Sequence, residues 1–284
     1  MKKRYILAIV LSAMFLSFTV SCSKSEESTP TNPETPDNPI NHGDLMGVYN
    51  PGKKIKKVYK SSTYQEKYLS EVWNWDGDLL ESISHYDSEG NLLYSEQCIY
   101  ENNRIIRVET YSNPAAVTTY GYEGNNLKIA QYYYTNGGPS GSYTFAYQNS
   151  KINEIIYEGD PKKSTMEKLE TTTMVFQFTW SGENVTSLLL KDSDGNELSK
   201  QSFLYDEKNN PKRGFLNSGI FLGVADDYHF YFSMNNVTRA DYMDLDSNRF
   251  TIYDYQYDDD GYPIKITEKM YGGSDDEVTY FEYE

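Results

Sequence analysis

The side chains best suited to catalysis or metal binding are scattered along this chain and form no recognisable motif. The three histidines are His42, His85 and His229, and no cluster of cysteines accompanies them, as a zinc signature would require. No nucleophile elbow, phosphate-binding loop or dinucleotide fingerprint occurs in the 284 residues. We therefore predict no catalytic residue, no metal site and no cofactor, and a protein that is not an enzyme.

Two acidic stretches have the composition of a calcium loop. Residues Asp192 to Glu197 read DSDGNE, but the glycine comes too early for the spacing of an EF-hand. Residues Asp258 to Gly261 are similar, and Asp, Asn and Gly are also the residues that hairpin turns use. We interpret both stretches as turns. Because 42 acidic residues create many accidental pairs, a glycan hydrolase with two catalytic carboxylates stays as a lesser alternative.

The aromatic side chains are the most suggestive signal for ligand binding. Trp73, Trp75 and Trp180 are the best candidates for a platform on which sugar rings or peptide side chains stack. The alternative is that the aromatic residues form the packed face of a sheet that is poor in Leu and Val. The two interpretations differ in whether the tryptophans are solvent-facing neighbours, which would favour binding, or are buried or far apart, which would favour packing.

A repeat along the chain must position these residues. Aromatic anchors recur at intervals of 22 to 33 residues, and most are preceded by another aromatic two residues earlier, as in Phe230 and Phe232. Side chains at i and i+2 lie on one face of a strand, so the rings should share a face. The anchors are Tyr49, Trp75, Tyr100, Tyr122, Tyr147, Trp180, Tyr205, Phe232, Tyr257 and Tyr283.

Turn residues and aliphatic residues follow the anchors and complete each unit. Asp76-Gly77 and Asn102-Asn103 tolerate positive φ, and an aliphatic residue such as Leu80 follows about five residues after an anchor. Each unit is then strand, turn, strand, turn, which predicts an all-β meander of roughly 16–18 antiparallel strands. His85 and His229 fall on predicted strands. Residues 159–170 are predicted to be a long hairpin loop, and the apolar residues 215–224 to tuck against the sheet and plug one end.

The N-terminus predicts export and lipidation. A basic start and an apolar run make residues 1–21 a secretory signal. The residues that lead into Cys22 resemble a bacterial lipobox, so Cys22 is predicted to carry acyl chains, the alternative being a secreted protein cut near Ser21. Residues 23–27 (SKSEE) resemble the signal that sends lipoproteins of Bacteroidota to the cell surface. Residues 22–45, rich in Ser, Thr and Pro, are predicted to be a disordered tether.

The remaining residues, 46–284, resemble a known family. Residues 86–92 (YDSEGNL) and 257–261 (YDDDG) are similar to the YD repeats of RHS-type β-sheet proteins. Together with the N-terminus, the chain resembles Bacteroidota lipoproteins grouped as a domain of unknown function with a porin-like fold. That resemblance implies a meander of hairpins that curls into a barrel-like or strongly curved sheet, and curling would remove two exposed sheet edges.

Charge and polarity narrow the function. A formal charge of −16 excludes a nucleic-acid partner and a polybasic membrane-surface module. Strands such as 104–111 carry charged residues among the apolar ones, which disfavours a membrane-spanning porin. We predict a lipid-anchored outer-membrane protein at the cell surface that binds a glycan or a protein without catalysis. A structural envelope protein is the alternative, and a glycan hydrolase with its site in the barrel mouth is less favoured.

Overall fold

The computed structural model describes residue 49 and residues 51–137, 140–159, 172–215, 228–244, 248–271 and 276–284. The predicted signal peptide over 1–21, the lipidation site Cys22 and the predicted tether over 22–45 lie outside the described residues. So do most of the two irregular segments, because only Gly159 and Phe215 of residues 159–170 and 215–224 are described.

In the described part of the chain, sixteen antiparallel strands form a closed barrel. Each strand pairs with its neighbours in sequence, and β1 pairs with β16, so no strand edge is left open. The all-β class and the hairpin meander are confirmed, and of the two shapes that the sequence left open, a barrel-like or a strongly curved sheet, the structure has the closed barrel. The strands are β1 Ile55–Ser62, β2 Gln65–Asp76, β3 Leu79–Tyr86, β4 Leu92–Glu101, β5 Arg104–Tyr111, β6 Ala116–Glu123, β7 Asn126–Tyr134, β8 Ser140–Gln148, β9 Lys151–Gly159, β10 Thr172–Ser181, β11 Asn184–Asp192, β12 Glu197–Asn209, β13 Asn235–Asp244, β14 Asn248–Tyr257, β15 Pro263–Tyr271 and β16 Glu277–Tyr283.

The two ends of the barrel differ in their connections. At the end that we call the tight-turn end, each even-numbered strand leads into the next odd-numbered strand, in most cases through two residues. Asn102 and Asn103 connect β4 to β5 with φ values of 52° and 61°, the positive values that a two-residue hairpin turn requires. We call the opposite end, where odd-numbered strands lead into even-numbered ones, the loop end.

The acidic turns owe their composition to hydrogen bonds with their own backbone. The carboxylate of Asp87 accepts bonds from the backbone N–H groups of Glu89 and Asn91 at 2.9 and 2.8 Å. Asp192 repeats this arrangement at 2.9 and 2.8 Å, and Asp258 at 3.0 and 2.9 Å. Hydrogen bonds from the side chain and backbone of Asn91 lower the pKa of Asp87, so the turn keeps an ionised acceptor. The same Asp-x-x-Gly turn closes hairpins at both ends of the barrel.

The inner face of the barrel carries the aromatic residues, as the i and i+2 spacing predicts. On strand β8, Phe145 is fully buried and Tyr147 packs against the core from a half-buried position. The outward residue between them, Ala146, is excluded from this cluster. The inward rings and the aliphatic residues of neighbouring strands therefore form one continuous core that lines the barrel wall.

An aromatic residue on each even-numbered strand, in most units the predicted anchor, also ties two strands together at the tight-turn end. On every even-numbered strand, one aromatic side chain donates a hydrogen bond of 2.5 to 2.9 Å to a backbone carbonyl of the preceding strand. Such bonds satisfy the polar tip of a ring whose body is buried. The donors are Trp75, Tyr100, Tyr122, Tyr147, Trp180, Tyr205, Tyr255 and Tyr283.

One anchor is displaced by two residues. The sequence predicts Tyr257 as the anchor of its unit, but Tyr255 makes the interstrand bond, to the carbonyl of Val237. Tyr257 instead stacks on Tyr255 with ring centroids 5.6 Å apart and donates its hydroxyl to Asp206. Tyr257 thus binds the carboxylate of Asp206 on β12 instead of a backbone carbonyl of the preceding strand.

A second correction concerns residues 228–232, which were predicted to be a strand bearing His229 and the pair Phe230 and Phe232. They form the short helix α1, Tyr228–Phe232. The run YHFYF lacks the alternation of a half-exposed strand, and a helical turn places Tyr228 and Phe232 on one side. Both rings are buried inside the barrel, so this unit fills the lumen instead of adding to the wall.

Candidate ligand-binding cavity

The described residues of the connection between β12 and β13 occupy part of the barrel lumen. Tyr228 of α1 lies edge-on to Phe176 and Phe178, with ring centroids 5.3 and 5.6 Å away. At the other end of the connection, Phe215 packs on Trp73 with centroids 4.9 Å apart. Barrels of 16 strands are wide enough to hold an aqueous channel, and these side chains occupy part of that space.

The rest of the lumen is a cavity of about 690 Å³. The inner faces of β1, β2 and β13–β16 form its outer wall, and residues 210–212 and 230–231 face them. Its volume is within the range of small-molecule sites. The cavity is therefore the strongest candidate for a functional site in the described part of the chain.

Burial along the wall shows which end of the cavity is open. Towards the tight-turn end, the lining residues Pro211, Asn236 and Phe281 are buried. Towards the loop end, Lys60 and Glu277 are exposed. The cavity thus opens at the loop end, and a ligand would enter from there.

The charges that line the cavity cancel. Its polar side chains sit among phenol and phenyl rings, a lining that suits a hydroxyl-rich ligand or a peptide. The formal charge of the lining is zero, although the whole chain carries −16. The lining cations are Lys60, Lys212 and Arg249, and the lining anions are Glu71, Glu268 and Glu277.

A histidine lies beside the cavity wall. His85 on β3 is directly opposite Glu71 on β2 and stacks on Tyr94 with ring centroids 4.2 Å apart. Burial lowers the pKa of His85, and the positive charges of Lys212 and Lys60 lower it further, against the opposing effect of Glu71. The imidazole is therefore neutral at physiological pH and adds no positive charge to this corner of the lumen.

The structure brings two of the three candidate tryptophans together and leaves the third elsewhere. Trp73 is only 3% exposed and lies 6.5 Å from Trp75, with Tyr49 and Phe215 packed against it. Trp180 is on β10 and donates its indole N–H to the carbonyl of Ile152 at 2.7 Å. None of the three is among the described residues that line the cavity. This geometry favours the packing interpretation, and ligand binding by the tryptophans stays a prediction.

The residues that line the cavity were not singled out from the sequence. A signal for them exists, because Thr251 lies two residues before Tyr253 and four before Tyr255. Alternation places Thr251 on the same inward face as these two tyrosines. A polar residue on that face indicates that the strand borders a polar lumen there and not the apolar core. Glu268 and Glu277 could have been found in the same way, by counting inward positions along β15 and β16.

The fold is that of a closed sixteen-stranded barrel with a partly filled lumen, and solved structures share it. The chain is similar to a porin-like protein from Bacteroides uniformis, with a TM-score of 0.52 and 12% identity over 84% of this chain and 100% of that one. A porin-like protein from Bacteroides vulgatus gives a TM-score of 0.51 and 10% identity, over 82% and 99% of the two chains. The porin-like fold that the resemblance implied is confirmed.

Sequence comparison adds no further assignment. No protein-family model and no curated protein matches the chain. Within the described ranges, no group of three or more His, Cys, Asp or Glu side chains is placed to hold a metal ion. No helix of the described residues is long and apolar enough to span a membrane.

Exposed apolar side chains are concentrated at the loop end of the barrel, the end at which the cavity opens. Most of the large apolar residues that are at least 40% exposed in the described structure belong to turns or strand ends at the loop end. Exposed apolar groups of this kind mark interaction surfaces. We call this set the mouth rim; its members are Tyr64, Leu92, Leu93, Tyr111, Tyr133, Met243, Met270 and Tyr271.

Proposed function

We propose that this protein is a non-enzymatic binding protein whose ligand, a glycan or a segment of another protein, enters the barrel lumen from the loop end. The single observation that carries the proposal is the cavity of about 690 Å³, which opens at the end that bears the mouth rim. A purely structural envelope protein would not need an open, charge-balanced cavity with exposed apolar groups around its entrance. Binding therefore accounts for more of the structure than the structural alternative does.

Blocking the lumen tests this proposal. Thr279 faces the cavity from β16, and Thr279→Trp should fill space there and weaken ligand binding at least tenfold, because the ligand and the indole compete for one volume. The measurement is a glycan and protein binding screen with the compact unit that starts at Ile40, followed by calorimetry on the hits. Thr144→Trp is the matched control, since Thr144 is exposed on the outer face of β8.

Each outcome of the screen bears on a different function. Equal binding by wild type and Thr279→Trp would place the ligand outside the lumen and contradict the proposal. Cleavage of a bound glycan that is lost in Thr279→Trp would instead favour the hydrolase, because Glu71, Glu268 and Glu277 line the same cavity.

We infer that the barrel stands outside the apolar core of the outer membrane and is held there by acyl chains on Cys22. Its outer face carries ion pairs in mid-strand, such as Arg239–Asp241 and Lys269–Asp254, both at 2.6 Å. Lipid-facing positions of a spanning barrel would be apolar. The first described residues are fixed at the tight-turn end, where the hydroxyl of Tyr49 donates to Pro211 at 2.6 Å. The chain therefore enters the barrel from the tight-turn end, opposite the mouth of the cavity.

Fractionation and labelling test this location. Cys22→Ser should move the protein from the membrane fraction to the soluble fraction, because the acylated side chain is lost. A membrane-impermeant maleimide should label Tyr64→Cys in intact cells, since Tyr64 is 79% exposed at the mouth. Cys98 is the matched control, because burial raises the pKa of its thiol to about 12 and keeps it unreactive. Labelling of Tyr64→Cys only after lysis would contradict a surface location.

A further inference from the structure

A buried hydroxyl on the cavity wall points to a specific ligand chemistry. Thr251 on β14 lines the cavity and is only 1% exposed. Its Oγ1 has no hydrogen-bond partner among the described residues. Burying a hydroxyl without a partner is unfavourable, and a valine of the same shape would avoid this cost. A ligand group that hydrogen-bonds to Thr251 would account for a threonine at this position.

Two carboxylates lie close to Thr251 on the same wall. Glu268 on β15 and Glu277 on β16 are directly opposite each other in the strand register, and both line the cavity. Thr251 is opposite Met270, two residues from Glu268, so it is a diagonal neighbour of this pair. An ionised carboxylate accepts hydrogen bonds and donates none, so this part of the wall presents acceptors to the cavity. Arg249, the cation of this wall, stands two residues from Thr251 on the same strand.

We propose that Thr251, Glu268 and Glu277, the acceptor wall, bind a donor-rich part of a carbohydrate, its ring hydroxyls or an amino group. Two aromatic rings that line the same cavity could stack on a sugar ring. They belong to Phe230 and Tyr253, which lie edge-on to each other with centroids 5.4 Å apart. Aromatic faces bind sugar rings and ammonium groups alike, and carboxylates accept hydrogen bonds from both. This inference rests on the proposed binding function and names the ligand class and the wall that recognises it.

Calorimetry with the purified full chain tests the acceptor wall. The probes are three oligosaccharides of equal length, built of glucose, glucosamine or N-acetylglucosamine. Thr251→Val should weaken binding of the tightest probe at least tenfold, whereas Thr144→Val, on the outer face, should leave it unchanged. Glu277→Gln separates the two donor chemistries: a loss confined to glucosamine identifies the amino group, and a similar loss for all three probes identifies hydroxyls.

Thermal unfolding of the same variants shows whether a loss of affinity comes from damage to the fold. Thr251→Val should melt at the wild-type temperature or a few degrees above it, because the added methyl needs no hydrogen bond. Full affinity in Thr251→Val, or a loss that coincides with a lower melting temperature, would overturn the acceptor wall. If the wild type binds a protein but none of the three probes, the carbohydrate inference fails while the proposed function stands.

Discussion

Raising the pH above about 10 should unfold the barrel in one cooperative transition. The cause is the set of phenols inside the wall, because burial raises the pKa of each of them above the ordinary value of 10. Burial raises the pKa of Tyr94 to about 12, and it raises the pKa values of other buried tyrosines in the same direction. The phenols concerned are Tyr49, Tyr100, Tyr120, Tyr122, Tyr143, Tyr205, Tyr255 and Tyr283.

The direction of the effect follows from proton linkage. Above pH 10 the unfolded chain releases its phenolic protons while the folded chain retains them, so the unfolded state binds fewer protons and stability falls as the pH rises. Below pH 10 the contribution of these groups is fully present. Each buried tyrosine that keeps its proton in the folded state would remove on the order of 1 kcal/mol for every pH unit above 10. A few such groups together exceed the stability of about 5–15 kcal/mol that is usual for a folded domain.

Absorbance at 295 nm, which reports phenolate, and circular dichroism of the strands measure this prediction in one titration. In the native protein, the rise in absorbance that comes from the buried phenols should coincide with the loss of the strand signal. The matched control is the chain in concentrated urea, where the phenols should titrate near pH 10. Ionisation of the full complement of tyrosines, the buried ones included, around pH 10 with the strand signal intact would show that water reaches the phenols inside the barrel and would contradict the prediction.

The barrel could be predicted largely because its rules are local. A period of two places the rings of Phe145 and Tyr147 on one face, and asparagine pairs such as Asn102-Asn103 turn the chain back after each anchor. Where local rules were insufficient, contacts distant in sequence decided the outcome. Tyr257 left the pattern because Asp206, 51 residues away, accepts its hydroxyl. The aromatic run at 228–232 became a helix because the lumen offered it a buried place beside Phe176.

The cavity lies beyond local prediction for the same reason. Its wall joins β1 and β2 to β13–β16, and this contact exists only because Val58 pairs with Phe281 when the barrel closes. Thr251 reads in sequence as an ordinary strand threonine. Its significance arises when closure brings β14, β15 and β16 to face a space that the β12–β13 connection leaves open. The wall of the barrel can therefore be predicted from the sequence more completely than the side chains and the cavity inside it.

Replacing Trp73 by alanine should lower the free energy of unfolding by about 3–5 kcal/mol, the usual cost of removing a buried tryptophan or phenylalanine ring. Trp73 is 3% exposed, and Tyr49, Trp75 and Phe215 surround it with ring centroids 4.9 to 6.5 Å away. Its indole N–H donates to Glu71 at 2.8 Å, so the substitution also takes a hydrogen bond from a carboxylate on the cavity wall. Urea unfolding, followed by circular dichroism, measures the change.

The control for Trp73→Ala is Asn74→Ala, which alters the next residue on the same strand. Asn74 is exposed, and its amide donates to the half-buried side chain of Ser82 at 3.1 Å, so the loss should stay within about 0.5 kcal/mol. The pair distinguishes the two roles that the sequence left open for the tryptophans. If Trp73 stacks on a ligand, Trp73→Ala should weaken ligand binding with little change in the free energy of unfolding. If Trp73 is a core residue, the substitution lowers the free energy of unfolding of the protein. The affinity of the protein for its ligand then changes only if Glu71 moves.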